Sequence, residues 1–397
     1  MEGETNMIRY ILRRLFQSLI TVILVVSVVF ILLRMMPSDY FFTEDELMKF
    51  TETQKYAKLE RLGIMETCPE CHGTGKIGED ACPHCEATGY RNRNVFAQLG
   101  DFFYEMLDMR VFNEKGKEIK TISSVPLWTY LQRQSAGELP FGQELKEGQS
   151  ARCVFNLGKS IRLEKNQYVT DVIANKMSVS MEIGLISLAI SLFLGVVFGV
   201  LQAHYKNGVF DHIGTGFTVV VNAVPHLVIY TVIMIAGSSL FGLPMRYDAT
   251  AANVTATKVL PIVCLSIGSI AGYMLWTRRY MVDELNKDYI RLAKLKGLSG
   301  TKVMFRHVLK NAFVPLAQYL PYSVLLTVGG SLLVETFFSV PGMGPELTKA
   351  ISRYDLNLVQ GIVLLYATLG ILGVFLGDLL MTVIDPRIKL TGKGDVR

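Results

Sequence analysis

Long apolar stretches without a charged residue alternate with polar segments along this chain. The six stretches are Leu15–Leu33, Ile183–Ala203, Ile213–Leu240, Val259–Thr277, Ala312–Val334 and Val359–Gly377. A helix rises about 1.5 Å per residue, so each stretch has roughly the 17–25 residues that cross a hydrocarbon core of about 30 Å. The pattern predicts an all-α polytopic membrane protein with six transmembrane helices. Composition agrees, because half of the residues are apolar and only 19% are charged.

The distribution of charge predicts the orientation of these helices. Nine Lys and Arg residues but only three acidic residues lie between Arg278 and Lys310, and such basic connectors stay in the cytoplasm. Counting outward from this loop places both termini in the cytoplasm and residues 34–182, 241–258 and 335–358 outside. The net charge of +5 therefore reports membrane topology, and we predict no nucleic-acid partner.

The first apolar stretch predicts a retained anchor, not a cleaved signal peptide. Its 19 residues exceed the usual apolar length of about 7–15, and Arg34-Met35-Met36-Pro37 follows in place of a small-residue cleavage site. The predicted division of the chain is an N-terminal segment with the first transmembrane helix over 1–36, an extracytoplasmic insert over 37–170, a five-helix core over 171–390 with a cytoplasmic loop at 278–311, and a cytoplasmic tail over 391–397.

Few residues in or near the apolar stretches carry chemistry. The nearest candidate for a phosphate-cradling loop, Gly75-Lys76, lacks both the first glycine and the Ser or Thr of that motif. We therefore expect no nucleotide hydrolysis by this chain, which is not predicted to be an enzyme. Glu182, Glu335 and Asp378 lie near the ends of apolar stretches, and interfacial charges that reach the lipid headgroups are favoured over an ion pathway.

The basic connector predicts a short helix with a defined end. Four residues of 288–297 share one helical stripe: Tyr289, Leu292, Ala293 and Lys296. Arg291 and Lys294 face away from this stripe, and Gly297 suits a left-handed C-terminal cap.

A second short helix is predicted beyond that glycine. Ser299 or Thr301 can cap it, it runs through Asn311, and Pro315 marks the start of the fifth span. On spacing alone, the connector suits a solvated or headgroup-bound basic loop as well as it suits a helix that docks on a protein.

The segment from Tyr289 to Ser299, followed by Arg306-His307 and Lys310-Asn311-Ala312 before Pro315, resembles the EAA-type coupling loop of ABC importer permeases of the oligopeptide/dipeptide/nickel branch. Further segments resemble the same branch in order: Met7–Leu15, Leu157–Ser160, Val334–Gly344 and Asp385–Arg387. Together they resemble its first-type permease subunit, over roughly residues 7–40 and 155–390.

This resemblance implies the type I importer permease fold in a cell membrane and a role in ATP-driven import. It also implies partners: a homologous permease, two cytoplasmic ATPases that bind the ATP, an extracytoplasmic solute-binding protein, and membrane lipid. The implied ATPase-coupling residues are Tyr289, Arg291, Leu292, Ala293, Lys296 and Gly297. Peptide is the favoured substrate over nickel, because the spans lack a His or Cys cluster for a soft metal. No substrate-binding residue is predicted.

The insert contains a second strong motif, Cys68-Pro69-Glu70-Cys71 and Cys82-Pro83-His84-Cys85, with ten residues between the pairs. Glycine-containing turns follow both pairs, and four thiolates can close a tetrahedral site. The pattern resembles the zinc repeats of J-domain co-chaperones over about 22 residues. Structural zinc is predicted. Two alternatives stay open: disulfides, which an oxidising external location would favour, and an iron or redox site.

The remaining Cys and His residues are predicted to lie outside this site. Cys153 and Cys264 are expected to be isolated thiols, and His72 and His84 are left out because four cysteines complete a tetrahedron. A different class of function stays open at this point: a membrane-anchored binding or sensory protein in which the zinc domain is the functional part.

Overall fold

The fold is known from a computed structural model that describes residues 2–116, 118–119, 122–146 and 148–384. The predicted tail 391–397 and the motif Asp385–Arg387 lie outside the described residues. The chain forms two compact units. One, here called the helical unit, comprises residues up to Ile23, Ala174–Thr348 and the residues from Leu365. The other, here called the insert unit, comprises Leu24–Ile173 and Lys349–Leu364.

Most described residues belong to helices. The helices are α1 (Glu2–Arg34), α2 (Glu44–Lys49), α3 (Glu52–Arg61), α4 (Val95–Glu105), α5 (Leu127–Ser135), α6 (Val169–His204), α7 (Val209–Ala223), α8 (His226–Phe241), α9 (Val254–Leu285), α10 (Asp288–Leu295), α11 (Gly300–Val303), α12 (Leu309–Thr327), α13 (Leu332–Phe337), α14 (Gly344–Ser352) and α15 (Leu356–Ile384). A 3-10 helix covers Ser38–Phe41 and a π-helix covers Met304–Val308.

Five helical segments are long and apolar enough to cross a membrane: Ile11–Arg34, Val169–His204, Val254–Leu285, Gly300–Phe337 and Leu356–Ile384. A sixth span is formed if the bent pair α7 and α8 counts as one. The expected all-α polytopic architecture is confirmed. Its third span is not the continuous helix predicted over Ile213–Leu240, because α7 and α8 meet at 110°. Pro225 lacks an N–H and holds Val224 in an extended conformation, which ends α7.

The fifth span also differs from the prediction. The chain continues from α11 through the π-helix directly into α12, so no separate helix ends at Asn311. Pro315 lies inside α12 instead of marking the start of the span. Proline is tolerated within membrane helices because neighbouring helices and local backbone adjustment satisfy the carbonyl that it frees.

Helices α6 and α9 approach each other closely in the helical unit. A Cβ added at Gly195 would lie 2.5 Å from the Cβ of Tyr273, and one added at Gly199 would lie 2.6 Å from the Cβ of Thr277. The two glycines are four residues apart, which places them on the same helix face. This spacing of small residues lets two membrane helices pack backbone to backbone.

The insert unit contains three small antiparallel sheets: β1 (Met65–Thr67) with β4 (Tyr90–Asn92), β2 (Lys76–Ile77) with β3 (Asp80–Ala81), and β6 (Val125–Pro126), β5 (Leu107–Phe112) and β7 (Ser150–Phe155) in that order. Asp355, in the same unit, is fully buried and accepts hydrogen bonds from Ser160 Oγ at 2.5 Å and from the backbone N–H of Arg162 at 2.9 Å. Such a satisfied buried carboxylate fixes the loop that precedes α6.

Candidate coupling helix and candidate metal centre

Helix α10 buries two side chains against the rest of the helical unit. Ile290 is fully buried and Ala293 is 7% exposed. Both belong to one apolar cluster with residues of α6, α9, α11, the π-helix and α12: Val200, Ala203, Met281, Val303, Met304, Val308 and Ala312. Helix α10 is therefore packed against three membrane-spanning segments.

The buried face of α10 differs from the predicted stripe. Of that stripe, only Ala293 is buried, whereas Leu292 is 53% exposed and Lys296 is exposed. Ile290 and Ala293 are three residues apart and share a face. The prediction started from Tyr289, one residue earlier, which rotates the face by about 100°.

The predicted end of α10 is confirmed. Gly297 has a φ of +77°, its N–H donates to the carbonyl of Lys294 at 3.0 Å, and the N–H of Leu298 donates to the carbonyl of Ala293 at 3.4 Å. An added Cβ would meet no described atom within 4 Å. The need for glycine is therefore conformational and not steric.

Tyr289 ties the start of α10 to two neighbouring helices. Its hydroxyl donates to the carboxylate of Glu284 and accepts a hydrogen bond from Asn311 Nδ2 at 2.8 Å. Burial and the hydrogen bond to Glu284 raise the pKa of Tyr289 to about 12, so the phenol stays protonated at neutral pH. A groove of about 970 Å³ adjoins it, with charged lining residues of both signs: Asp283, Glu284, Lys287, Arg306 and Lys310.

The outer side of α10 is both apolar and basic. Leu295 is 85% exposed and Leu292 lies beside it, while Arg291 and Lys294 are exposed as well. Exposed leucines within a short helix are typical of a surface that a partner covers.

The four motif cysteines form one buried cluster. Their sulfur atoms all lie within 4.8 Å of one another, with 4.0 Å between Cys68 and Cys82 and 3.6 Å between Cys71 and Cys85. A tetrahedron with metal–sulfur bonds of about 2.3 Å has sulfur–sulfur edges of about 3.8 Å, whereas a disulfide bond is about 2.05 Å long. The arrangement suits a metal ion. His72 and His84 are exposed and lie outside the cluster.

The two cysteine turns support each other in a reciprocal way. The N–H of Cys68 donates to the carbonyl of Gly89 and the N–H of Cys82 to the carbonyl of Gly75, both at 2.9 Å. The N–H of Gly89 donates to Cys85 Sγ at 3.3 Å. A backbone donor at a thiolate stabilises its negative charge.

Glycine is required at both turns because the backbones pass so close to each other. A Cβ at Gly75 would lie 2.2 Å from the carbonyl oxygen of Ala87, and one at Gly89 would lie 2.4 Å from that of Gly73. Both glycines also have positive φ, +71° and +81°, which other residues rarely adopt.

Two threonines of the cysteine turns were missed by the sequence analysis. Thr74 Oγ donates to the carbonyl of Cys71, and Thr88 Oγ donates to the carbonyl of Cys85, each at 2.6 Å. The signal that reveals them is a repeat of Cys-Pro-x-Cys-x-x-Thr-Gly with a period of 14 residues.

The thiols of the cluster differ in acidity. Burial opposes the ionisation of Cys71, but backbone N–H groups of Gly75 and Gly73 and the neighbouring thiols outweigh it and lower its pKa to about 7. Burial raises the pKa of Cys85 to about 11. A bound cation would favour the ionisation of the thiols.

Glu335 does not reach the headgroups as predicted. It is only 3% exposed and accepts hydrogen bonds from Ser180 Oγ at 2.8 Å and from the N–H of Gly344 at 2.8 Å. Asp378 is likewise mostly buried, with Gln318 as a donor at 3.0 Å. Of these three acidic residues, Glu182 alone is half exposed, and its carboxylate pairs with a lysine.

Comparison with known proteins identifies a family match in the C-terminal half of the chain. The family model of the binding-protein-dependent transport system inner membrane component matches residues 195–390. The dipeptide transport system permease protein DppB of Bacillus subtilis is 32% identical over 241 residues, which are 60% of this chain and 77% of that protein. The chain belongs to this permease family. The matched range contains α10 and leaves out the cysteine cluster.

Two further relatives are named as permeases of oligopeptide transport systems. The oligopeptide transport system permease protein OppB of Haemophilus influenzae is 31% identical over 57% of this chain and 73% of its own length. The oligopeptide transport system permease protein AmiC of Streptococcus pneumoniae is 37% identical over 53% of this chain. The match spans only 42% of the length of AmiC.

Proposed function

We propose that this permease is a subunit of an ATP-driven importer of peptides. The observation that carries the proposal is the attachment of α10 to three spans through Ile290 and Ala293. Family membership supports a transport role, and relatives named for oligopeptides and dipeptides support peptide as the substrate. A second, homologous permease completes the pathway, and an extracytoplasmic binding protein delivers the peptide.

The ATPases are proposed to act through the outer side of α10. Leu292 and Leu295 insert into a cleft of one ATPase subunit, and Arg291 adds a charged contact at the edge. Closure of the ATPase pair moves α10 as a rigid element, and the apolar cluster passes this movement to α6, α9 and α12. The contacts of α10 therefore differ between the outward-open and the inward-open state of the pathway.

Purification of tagged full-length chain tests this proposal. An ATPase should co-purify with the wild type, and Leu295→Asp should remove most of it because the substitution places a charge in an apolar contact. Leu139→Asp is the matched control, since Leu139 is an exposed leucine of the insert unit. Equal recovery of the ATPase with both variants would refute a docking role for α10.

We also propose an orientation, with the loop 278–311 and both termini in the cytoplasm. The excess of basic residues in that loop supports it. Lys302→Cys, made in a Cys153→Ser background because Cys153 is an exposed free thiol, should react with a membrane-impermeant thiol reagent only after the cells are permeabilised. Labelling in intact cells would reverse the topology.

For the cysteine cluster we propose one structural zinc ion. The sulfur–sulfur distances and the backbone donors support it. When bound, zinc would hold the two cysteine turns together, because a closed site with four protein ligands offers no position for water or substrate. Its role is therefore to stabilise the insert unit and not to take part in transport.

A further inference from the structure

A cavity of about 230 Å³ lies within the helical unit, among α6, α9, α12 and the start of α13. Its polar lining groups are hydroxyls and a single carboxylate, and they include Ser187, Ser269, Ser323, Thr327 and Glu335. Water occupies about 30 Å³ per molecule in the liquid, so the cavity has room for roughly seven waters. Polar groups at membrane depth line a space that holds water or a polar ligand. The cavity opens at Ser269, which is exposed.

Glu335 brings an acidic group to this cavity without a basic partner. In the described part of the chain, no Lys, Arg or His forms an ion pair with its carboxylate. Lys176 lies on the same face of α6 as Ser180, four residues earlier, and pairs with Glu346 at 3.7 Å. An acidic side chain inside a membrane span usually has a positive partner or marks a substrate pathway. The position of that partner is therefore left to a ligand.

The carboxylate of Glu335 is held by three donors and keeps one acceptor position. Oε1 accepts hydrogen bonds from Ser180 Oγ at 2.8 Å and from the N–H of Ser331 at 3.1 Å, and Oε2 accepts one from the N–H of Gly344 at 2.8 Å. An ionised carboxylate has about four such positions. No described group donates to the fourth, which is on Oε2. A further donor therefore has an acceptor that the protein leaves open.

The lining suits an ammonium group better than a metal ion. An ammonium has three N–H donors and no acceptor, and the cavity offers it a carboxylate and several hydroxyl oxygens. A hard cation such as Ca²⁺ takes about six to eight oxygen ligands, often from several carboxylates. Glu335 is the one carboxylate of this lining. The volume also exceeds that of a bare ion and accommodates the carbon atoms that follow an ammonium in an amino acid.

We propose that this cavity is a subsite for the α-ammonium group of a peptide, with Glu335 as its counter-charge. The first residue of the peptide fills the cavity, and the rest of the peptide leaves past Ser269. Ser180 is a positioning residue, since its hydroxyl donates to Glu335 and accepts from the N–H of Met343 at 2.8 Å. The subsite rests on the proposed import of peptides and adds to it a preference for a free amino terminus.

Ser269→Cys supplies a reporter inside the cavity. The variant is made in a Cys153→Ser background, because Cys153 is an exposed free thiol, and is purified with its partner ATPases but without the binding protein. A hydrophilic thiol reagent should label it either without nucleotide or with a non-hydrolysable ATP analogue, since the two conditions sample both access states. Trialanine at about ten times its half-protecting concentration should slow this labelling about tenfold by mass action. N-acetyl-trialanine should not slow it.

Two glutamate variants locate the effect. Glu335→Gln should raise the half-protecting concentration of trialanine at least about tenfold, because it removes the charge from a charge-assisted hydrogen bond. Glu182→Gln is the matched control and should leave that concentration unchanged, since Glu182 is a half-exposed glutamate of α6 that is not part of the lining. Should Glu335→Gln not fold, the comparison of trialanine with N-acetyl-trialanine on the unchanged Glu335 still decides.

Four results would overturn the subsite. They are no labelling of Ser269→Cys in either state, equal protection by trialanine and N-acetyl-trialanine, an unchanged half-protecting concentration in folded Glu335→Gln, and protection only by an N-acetylated peptide that contains lysine, which assigns a side-chain ammonium instead. ATP-driven uptake of labelled trialanine, measured with the binding protein restored, separates these failures from failure of the proposed function. Uptake without protection would refute the subsite alone, whereas the absence of both would also refute peptide import.

Discussion

Helix α10 and the cysteine cluster are both short motifs that end at a glycine with positive φ, yet they are held in opposite ways. Helix α10 is held by an apolar cluster shared with α6, α9 and α12. The cysteine turns bond mainly to each other, through reciprocal backbone hydrogen bonds and four clustered thiols. The first arrangement ties a short helix to distant segments of the chain, whereas the second holds a segment together by its own contacts.

The largest effect is expected at the metal site of the cysteine cluster. Replacing Cys68 and Cys71 with serine should abolish zinc binding and make the insert unit sensitive to protease, because a structural site contributes folding free energy. The helical unit should still insert. Elemental analysis for zinc and limited proteolysis measure both effects.

Cys153→Ser is the control for this experiment, since Cys153 is an exposed free thiol on β7. It should retain about one zinc per chain. If the wild-type protein contained no zinc and two internal disulfides, the four cysteines would form disulfides and not a metal site.

The next prediction concerns the packing of α10. Ile290→Ala should destabilise the helical unit by about 2–5 kcal/mol, because it removes a fully buried side chain from a packed core. Leu292→Ala on the same helix should have little effect on stability, since Leu292 is exposed. Thermal unfolding of the purified variants gives the comparison. Equal melting temperatures for both would show that the apolar cluster does not hold α10.

These two predictions rest on features that the sequence revealed to different degrees. Apolar runs and the cysteine spacing are local in the chain, so five spans and the cysteine cluster could be predicted. The burial of Ile290 and Glu335 depends on neighbours from distant segments, and periodicity in one short helix does not reveal it. The bend at Pro225 did have a local signal, because the residue before a proline is disfavoured in a helix. The long apolar run made this signal easy to overlook.

A smaller effect is expected at the end of α10. Gly297→Val forces a β-branched residue into the left-handed region, at a cost of about 1–2 kcal/mol. The altered helix end should lower peptide-stimulated ATPase activity while the protein still inserts.

Gly300→Val is the matched control for the helix end. Gly300 lies three residues away at the start of α11, has no positive φ, and has open space around an added Cβ. Its substitution should leave peptide-stimulated ATPase activity close to that of the wild type. If both glycine variants retained full activity, the left-handed cap would have no part in coupling.

The most direct test of the central claim is ATP-driven uptake of a labelled peptide into vesicles that contain this permease with its co-purified partners. We expect uptake that requires ATP on the side of the membrane where the ATPases lie and that is stimulated by the binding protein. This uptake should be lost with Leu295→Asp and kept with Leu139→Asp. Uptake by Leu295→Asp at the wild-type rate, with ATPase present in equal amount, would contradict the proposed role of α10.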